Sequence, residues 1–116
     1  MTPPIPADAV DVREGLEASF RRRHRRDGPR ARDAWRALVA KRSAMMADCA
    51  FGPIFQPPRL PDSLKGLGLL RVVKGLPHGF RAVYSVFRDP TVGLVVCIDW
   101  IGDHQEYDKA FGYATS

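Results

Sequence analysis

The sequence predicts an α+β domain in which an N-terminal helical hairpin packs on a small antiparallel β-meander. Three observations predict this fold class. Residues 7–50 place apolar side chains at helical spacing, residues 52–68 hold four prolines and three glycines, and the chain from Leu69 to residue 113 contains three short β-type runs. A chain of 116 residues has room for one such core, so we expect a single domain over 1–116.

The helical half contains one explicit break. Leu16 and Phe20 are one turn apart, and the break follows at Asp27-Gly28-Pro29, where proline suits the first turn of a new helix. A second apolar stripe then recurs at helical spacing and is expected to be buried: Trp35, Leu38, Val39, Met45, Met46 and Cys49. Residues 5–12 fit either a strand or the start of a helix.

The three β-type runs cover residues 69–76, 80–87 and 92–101, and short turns between them favour a meander. The last run is apolar on both faces from Leu94 to Ile98, which predicts the central or most buried strand. The middle run alternates, with Phe80, Ala82, Tyr84 and Val86 on one face and Arg81, Val83, Ser85 and Phe87 on the other. We expect the hairpin to cover one face of the sheet and leave the other partly open.

The net charge of +5 comes from one segment. Residues 21–42 hold ten basic and two acidic side chains, whereas the rest of the chain holds eight basic and eleven acidic ones. A polyanion or an acidic protein is therefore the favoured partner. The cations of this segment predicted to bind RNA are Arg21, Arg22, Arg23, Arg25 and Arg26, joined by Arg71 from the first β-type run. Helix-dipole compensation, solubility and docking of an acidic protein also account for this charge.

Several classes of protein are disfavoured. No apolar run approaches the roughly 20 residues that span a bilayer, so we expect a cytoplasmic protein with no membrane contact. Cys49 and Cys97 are its only cysteines and have no zinc-finger spacing, which excludes a disulfide scaffold or structural zinc. No Gly-rich phosphate loop is present, so no cofactor is expected. A helix-turn-helix fits poorly, because the second helix has a wide apolar stripe to bury.

Two motifs carry a family resemblance. The middle run reads Phe80-Arg81-Ala82-Val83-Tyr84, and the chain closes with residues 104–109, His-Gln-Glu-Tyr-Asp-Lys, and then Phe111-Gly112-Tyr113. These residues resemble the RelE/ParE superfamily of type II toxins, and specifically a RelE-like subgroup that ends in His-x-Glu-Tyr-Asp-x-x-Phe-Gly-Tyr. The resemblance covers about residues 52–113, and the N-terminal half matches only in layout.

The resemblance implies a function and partners. RelE-type members are ribonucleases that cut messenger RNA without a metal, commonly in the ribosomal A site, and a cognate antitoxin wraps and neutralises them. We therefore expect a metal-independent mRNA endoribonuclease, with mRNA, the ribosome and an acidic antitoxin as partners and a toxin–antitoxin hetero-oligomer as one assembly. The alternative is a ParE-like member that inhibits gyrase, or a catalytically silent protein-binding member.

Metal-free RNA cleavage needs proton transfer and fixed positive charge at the phosphate. Arg81 suits the second role, because its guanidinium can grip two phosphate oxygens and the Arg of the resembling motif commonly serves the scissile phosphate. His104 is the candidate for proton transfer, since imidazole titrates between pH 5 and 8. An exposed Arg paired to a carboxylate and a surface His near acidic neighbours are the ordinary alternatives.

Two further residues complete the predicted site. Lys74 precedes Arg81 by seven residues across a turn, which places the two on neighbouring strands, and the family often has a Lys there; we favour it over Arg71. Tyr107 follows His104 by three residues and fits either a base-stacking or phosphate-orienting role or a core aromatic. His78 is interpreted as a loop residue.

The acidic residues near the C-terminus raise the question of a metal site. Asp99, Asp103, Glu106 and Asp108 surround His104, but their spacing matches no ligand rule. We therefore predict no metal and interpret the segment as a solvated acidic tail that faces the basic helices.

Overall fold

The computed structural model describes residues 3–114, so the first two and last two positions of the predicted domain lie outside it. It contains a four-stranded sheet built from β1 (Ala9–Val12), β2 (Leu69–Val73), β3 (Arg81–Asp89) and β4 (Gly93–Gly102) in the order β1-β4-β3-β2. The α+β class is confirmed. β4 lies between β1 and β3, as its doubly apolar sequence predicts.

The sheet is mixed because β1 pairs parallel to β4. The prediction that residues 7–50 are helical is therefore wrong for residues 9–12. Val10 and Val12 are β-branched and alternate with a polar residue, and Val10 becomes buried once the strand adds to the apolar edge of β4. The other two pairings, β2 with β3 and β3 with β4, are antiparallel and confirm the meander.

Four α-helices accompany the sheet: α1 (Leu16–Arg23), α2 (Gly28–Ala40), α3 (Arg42–Ala47) and α4 (His104–Phe111). The predicted break at residues 27–29 is confirmed, since α2 begins at Gly28. A second break at Lys41 separates α2 from α3 and shifts the phase of the apolar stripe. As a result Val39 and Met46 are 38% and 39% exposed, and their predicted burial is wrong.

The first core lies between the sheet and α1–α3. Phe20, Leu38 and Met45 are fully buried there against the Phe80, Ala82 and Tyr84 face of β3. Each such side chain contributes about 1.5–3 kcal/mol through removal of apolar surface from water. The predicted alternation of β3 side chains between the two faces of the sheet is confirmed, because Val83 belongs to the core on the opposite face.

The second core covers the other face of the sheet, which the sequence predicts to be partly open. α4 and the Pro/Gly-rich connector of residues 52–68 close most of this face, and only the far end leaves an aromatic exposed, at Phe87. The predicted acidic segment does face the basic helix α1, since Glu106 pairs with Arg23, but it is not a solvated tail. It is a helix that buries Tyr107 and Phe111, because these residues are four apart and share one face.

The connector is ordered by hydrogen bonds to β2 and β3. Phe55 N–H donates to the Leu70 carbonyl over 2.9 Å, and Val72 N–H donates to the Pro53 carbonyl over 3.0 Å. Gly52 is required at the start of this segment, since a Cβ there would overlap the Val72 carbonyl oxygen. Within residues 3–114 no helix is long and apolar enough to cross a membrane.

Candidate active site

Three of the predicted site residues lie at the same end of the sheet. Arg81 is the first residue of β3 and pairs with Gly102 at the end of β4. Lys74 follows Val73, whose partner is Ala82, so its backbone comes next to that of Arg81. His104 begins α4, two residues after Gly102. The meander therefore brings together residues that are up to 30 positions apart in sequence.

The Arg81 guanidinium packs on the ring of Tyr107. Its central carbon lies 4.6 Å from the ring centroid, a cation–π distance. Tyr107 is only 3% exposed, and Tyr113 stacks on it with centroids 5.3 Å apart. Burial raises the pKa of the Tyr107 phenol to about 12. These contacts favour the core alternative for Tyr107, whose ring is too enclosed to stack on a base and instead supports Arg81.

His104 is exposed at the first position of α4. Its Nδ1 lies 3.9 Å from the position that a Cβ atom would occupy if Gly79 carried a side chain. The His104 ring therefore lies beside the turn that leads into β3. Among residues 3–114, no carboxylate lies within ion-pair distance of His104, Arg81 or Lys74. The ordinary alternatives of a paired strand Arg and a salt-bridged surface His are not observed.

Arg71 lies away from this group. Its guanidinium donates to the Gly52 carbonyl over 2.7 Å and holds the connector against β2. Lys74, by contrast, is exposed. The predicted RNA contact of Arg71 therefore competes with a structural bond.

A polar cluster joins α1 to the start of α4. Glu106 forms an ion pair with Arg23 through one oxygen, and its other oxygen lies 2.5 Å from His24 Nε2. Arg23 also donates to the Ile101 carbonyl over 2.9 Å. Asp103 accepts from Glu106 N–H over 2.8 Å, and Glu106 accepts from Asp103 N–H over 3.0 Å, which is a capping box.

His24 is the residue that sequence reasoning missed. It is 5% exposed, and its ring lies 4.9 Å from that of Phe20 and 5.1 Å from that of Phe80, centroid to centroid. His24 follows Phe20 by four residues, a spacing that places two side chains on the same face of a helix and therefore indicates burial of His24. For α4 the signal was clearer, because Asp103 and Glu106 stand at capping-box spacing.

Three side chains of this cluster carry potential metal-ligand atoms within 4.8 Å of one another: His24, Asp103 and Glu106. Both Glu106 oxygens already accept hydrogen bonds, and the Arg23 cation lies beside them. A second cation would be repelled there, so the cluster is explained by capping and ion pairing and gives no support to a metal centre.

The predicted RNA-binding arginines divide into two groups. Arg21 is paired with Glu17 and Arg23 with Glu106, so these two have partners within the chain. Arg22, Arg25 and Arg26 are exposed and have no carboxylate partner among residues 3–114. These three remain free to contact a polyanion. No family model, curated protein or solved structure matches the chain.

Proposed function

We propose that this protein is a RelE-like toxin of a type II toxin–antitoxin system, a metal-independent endoribonuclease that cleaves mRNA on the ribosome. The observation that supports it best is the state of Arg81. Its guanidinium rests on Tyr107 and has no carboxylate partner in the part of the chain that the structure describes, at the end of the sheet where His104 and Lys74 also lie. Phosphodiester cleavage requires a fixed cation and a proton-transfer group, and this end of the sheet carries a candidate for each.

The chemistry follows from these groups. The 2′-hydroxyl attacks phosphorus, the bond from phosphorus to the 5′-oxygen breaks, and a 2′,3′-cyclic phosphate and a 5′-hydroxyl result. His104 accepts the proton of the 2′-hydroxyl, and water, which reaches this exposed site, gives a proton to the departing 5′-oxygen. Arg81, together with Lys74, stabilises the negative charge that develops on the phosphorane oxygens. Tyr107 acts as a positioning residue for Arg81.

The unpaired arginines favour polyanionic partners. Arg22, Arg25 and Arg26 lie at the end of α1 and in the turn that follows it, so they present a basic surface there. We assign this surface to ribosomal RNA, and an acidic antitoxin is the partner that would compete for it.

Primer extension on mRNA from cells expressing the chain tests the proposal. Wild type is expected to give new 5′ ends within translated regions. His104→Ala should lower cleavage by about 10²–10⁴-fold and Arg81→Ala by about 10²–10³-fold. Products made in vitro on programmed ribosomes should carry 2′,3′-cyclic phosphates.

Two matched variants control for fold and charge. Arg88→Ala removes an exposed arginine at the other end of β3, and His78→Asn replaces an exposed histidine whose positive φ of 61° asparagine tolerates. Both should cleave like wild type. Equal cleavage by the His104 and Arg81 variants would refute the site, and no cleavage by wild type would favour the gyrase-inhibiting or silent alternative.

A further inference from the structure

A basic groove lies on the side of α4 that faces α1. Its volume is about 750 Å³, and Trp100 and Leu60 form part of its apolar lining. The cations that line it are Arg23, Arg59, Lys65 and Lys109, and its acidic residues are Asp62 and Glu106. Nothing in the proposed cleavage site uses this groove.

The charge of the groove is positive and only partly neutralised. Glu106 is engaged by Arg23 and His24, and Asp62 is paired with Lys65 over 2.9 Å in an exposed ion pair that contributes little. Lys109 has no carboxylate partner among the described residues. Arg59 donates to the Ala110 carbonyl at the end of α4, so it is held in place and keeps its charge.

Trp100 reaches this groove because of a β-bulge. Val83 pairs with Trp100 and Tyr84 pairs with Ile98, so Asp99 is an extra residue in β4. The insertion reverses the alternation, and Trp100 therefore packs with the second core while Ile98 and Ile101 belong to the first. The indole remains partly exposed and lies 6.2 Å from the Tyr107 ring, centroid to centroid, where Arg81 also packs.

We propose that this groove binds an unpaired nucleotide of single-stranded RNA, with a base against Trp100 and neighbouring phosphates on Lys65 and Lys109. The inference rests on the proposed function, because the groove would guide the same RNA across α4 toward Arg81. Single-stranded RNA offers a planar face and an anionic group at every residue, and the groove offers an aromatic ring flanked by cations from two elements. An acidic peptide would use the cations but not the ring.

Binding of a 2′-O-methyl RNA decamer, which cannot be cleaved, tests the groove separately from catalysis. The probe carries a fluorophore for anisotropy, and a Trp35→Phe background leaves Trp100 as the single tryptophan for quenching. Lys65→Glu/Lys109→Glu should weaken binding at least tenfold and reduce the salt slope of log K by about 1.4. Trp100→Leu should weaken it by about 5–150-fold, and Trp100→Phe by less.

The matched control is Arg36→Glu/Arg88→Glu, which changes net charge equally at exposed positions outside the groove. Circular dichroism on every variant separates lost binding from lost fold. If the groove and control pairs bind equally well, the proposal is overturned. The proposal is also overturned, in favour of protein docking, if a polyglutamate peptide quenches Trp100 fluorescence as strongly as RNA does. If the wild-type protein binds the RNA decamer through the groove but does not cleave mRNA, the groove proposal is supported and the proposed function is refuted.

Discussion

The guanidinium of Arg81 stacks on the ring of Tyr107 at 4.6 Å and thereby ties the first residue of β3 to the middle of α4. The tyrosine belongs to the second core, whereas the arginine lies at the border of that core and solvent. Since the ring is rigid and buried, it restricts the arginine to few rotamers. When a phosphate binds, the Arg81 side chain would therefore lose little conformational entropy.

Substitution of Tyr107 is therefore expected to separate positioning from chemistry. Tyr107→Phe keeps the aromatic face and should retain mRNA cleavage within about threefold, whereas Tyr107→Leu removes the cation–π contact of about 0.5–2 kcal/mol and should lower cleavage by up to about 30-fold. The pH profile of cleavage should be unchanged in both. A loss of cleavage in Tyr107→Phe equal to that in Tyr107→Leu, with folding intact by circular dichroism, would contradict a positioning role.

Glu106 is predicted to be a main stabilising link between α1 and α4. Glu106→Ala removes the partner of buried His24 and one half of the capping box, so the free energy of unfolding should fall by about 1–3 kcal/mol. Urea denaturation measures it. Arg23→Ala should cost less, and a double-mutant cycle should show coupling of about 0.5–3 kcal/mol between the two residues. Arg22→Ala is the control, expected within about 0.5 kcal/mol of wild type.

Asp99 should make stability fall as pH rises. It is 5% exposed, one carboxylate oxygen has no hydrogen-bond partner among residues 3–114, and burial raises its pKa despite hydrogen bonds from Ser85 and Cys97. A carboxyl whose pKa is raised on folding binds its proton more tightly in the folded state. Its stabilising contribution is thus complete below the unfolded pKa of about 3.9 and is lost as pH rises through the folded value.

Asp99→Asn removes this titration, so its free energy of unfolding relative to wild type should increase from about pH 4 toward neutrality and then level off. Urea denaturation at several pH values measures it. Asp89→Asn serves as a control of opposite sign. Two backbone N–H groups, from Val92 and Thr91, lower the pKa of Asp89, so that variant should lose relative stability as pH rises through the folded value toward about 3.9 and level off above it. A difference between Asp99→Asn and wild type that does not vary with pH would refute the buried-charge explanation.

The sequence predicts those features that depend on nearby residues. The break at Asp27-Gly28-Pro29, the alternation of β3 and the central position of β4 all follow from patterns within ten residues, and the structure has each of them. The capping box at Asp103 and Glu106 was equally readable. Its two carboxylates fit three sequence interpretations, a metal site, a solvated tail and a helix start, and only the third matches the structure.

The remaining features depend on distant partners. β1 has only four residues and is defined by pairing with Val95–Ile98, more than 80 positions away. His24 is buried because Glu106, 82 residues later, accepts its hydrogen bond. The bulge at Asp99 leaves no local signal, yet it decides that Trp100 joins the α4 side. Local patterns can place His24 on the buried face of Phe20, but they cannot reveal these distant partners, since each contact exists only after the sheet has formed.

Tyr84 closes the motif that begins at Phe80, and we predict a purely structural role for it. It is fully buried on the face opposite Arg81, accepts from Gly52 N–H over 2.7 Å and donates to the Cys49 carbonyl over 3.1 Å. Tyr84→Phe leaves both backbone groups without this partner, so the free energy of unfolding should fall by about 1–3 kcal/mol in urea. Cleavage by the folded fraction should be unchanged, because the hydroxyl fixes the connector rather than the Arg81 end of the sheet. A variant as stable as wild type but deficient in cleavage would instead place the Tyr84 hydroxyl in the chemistry.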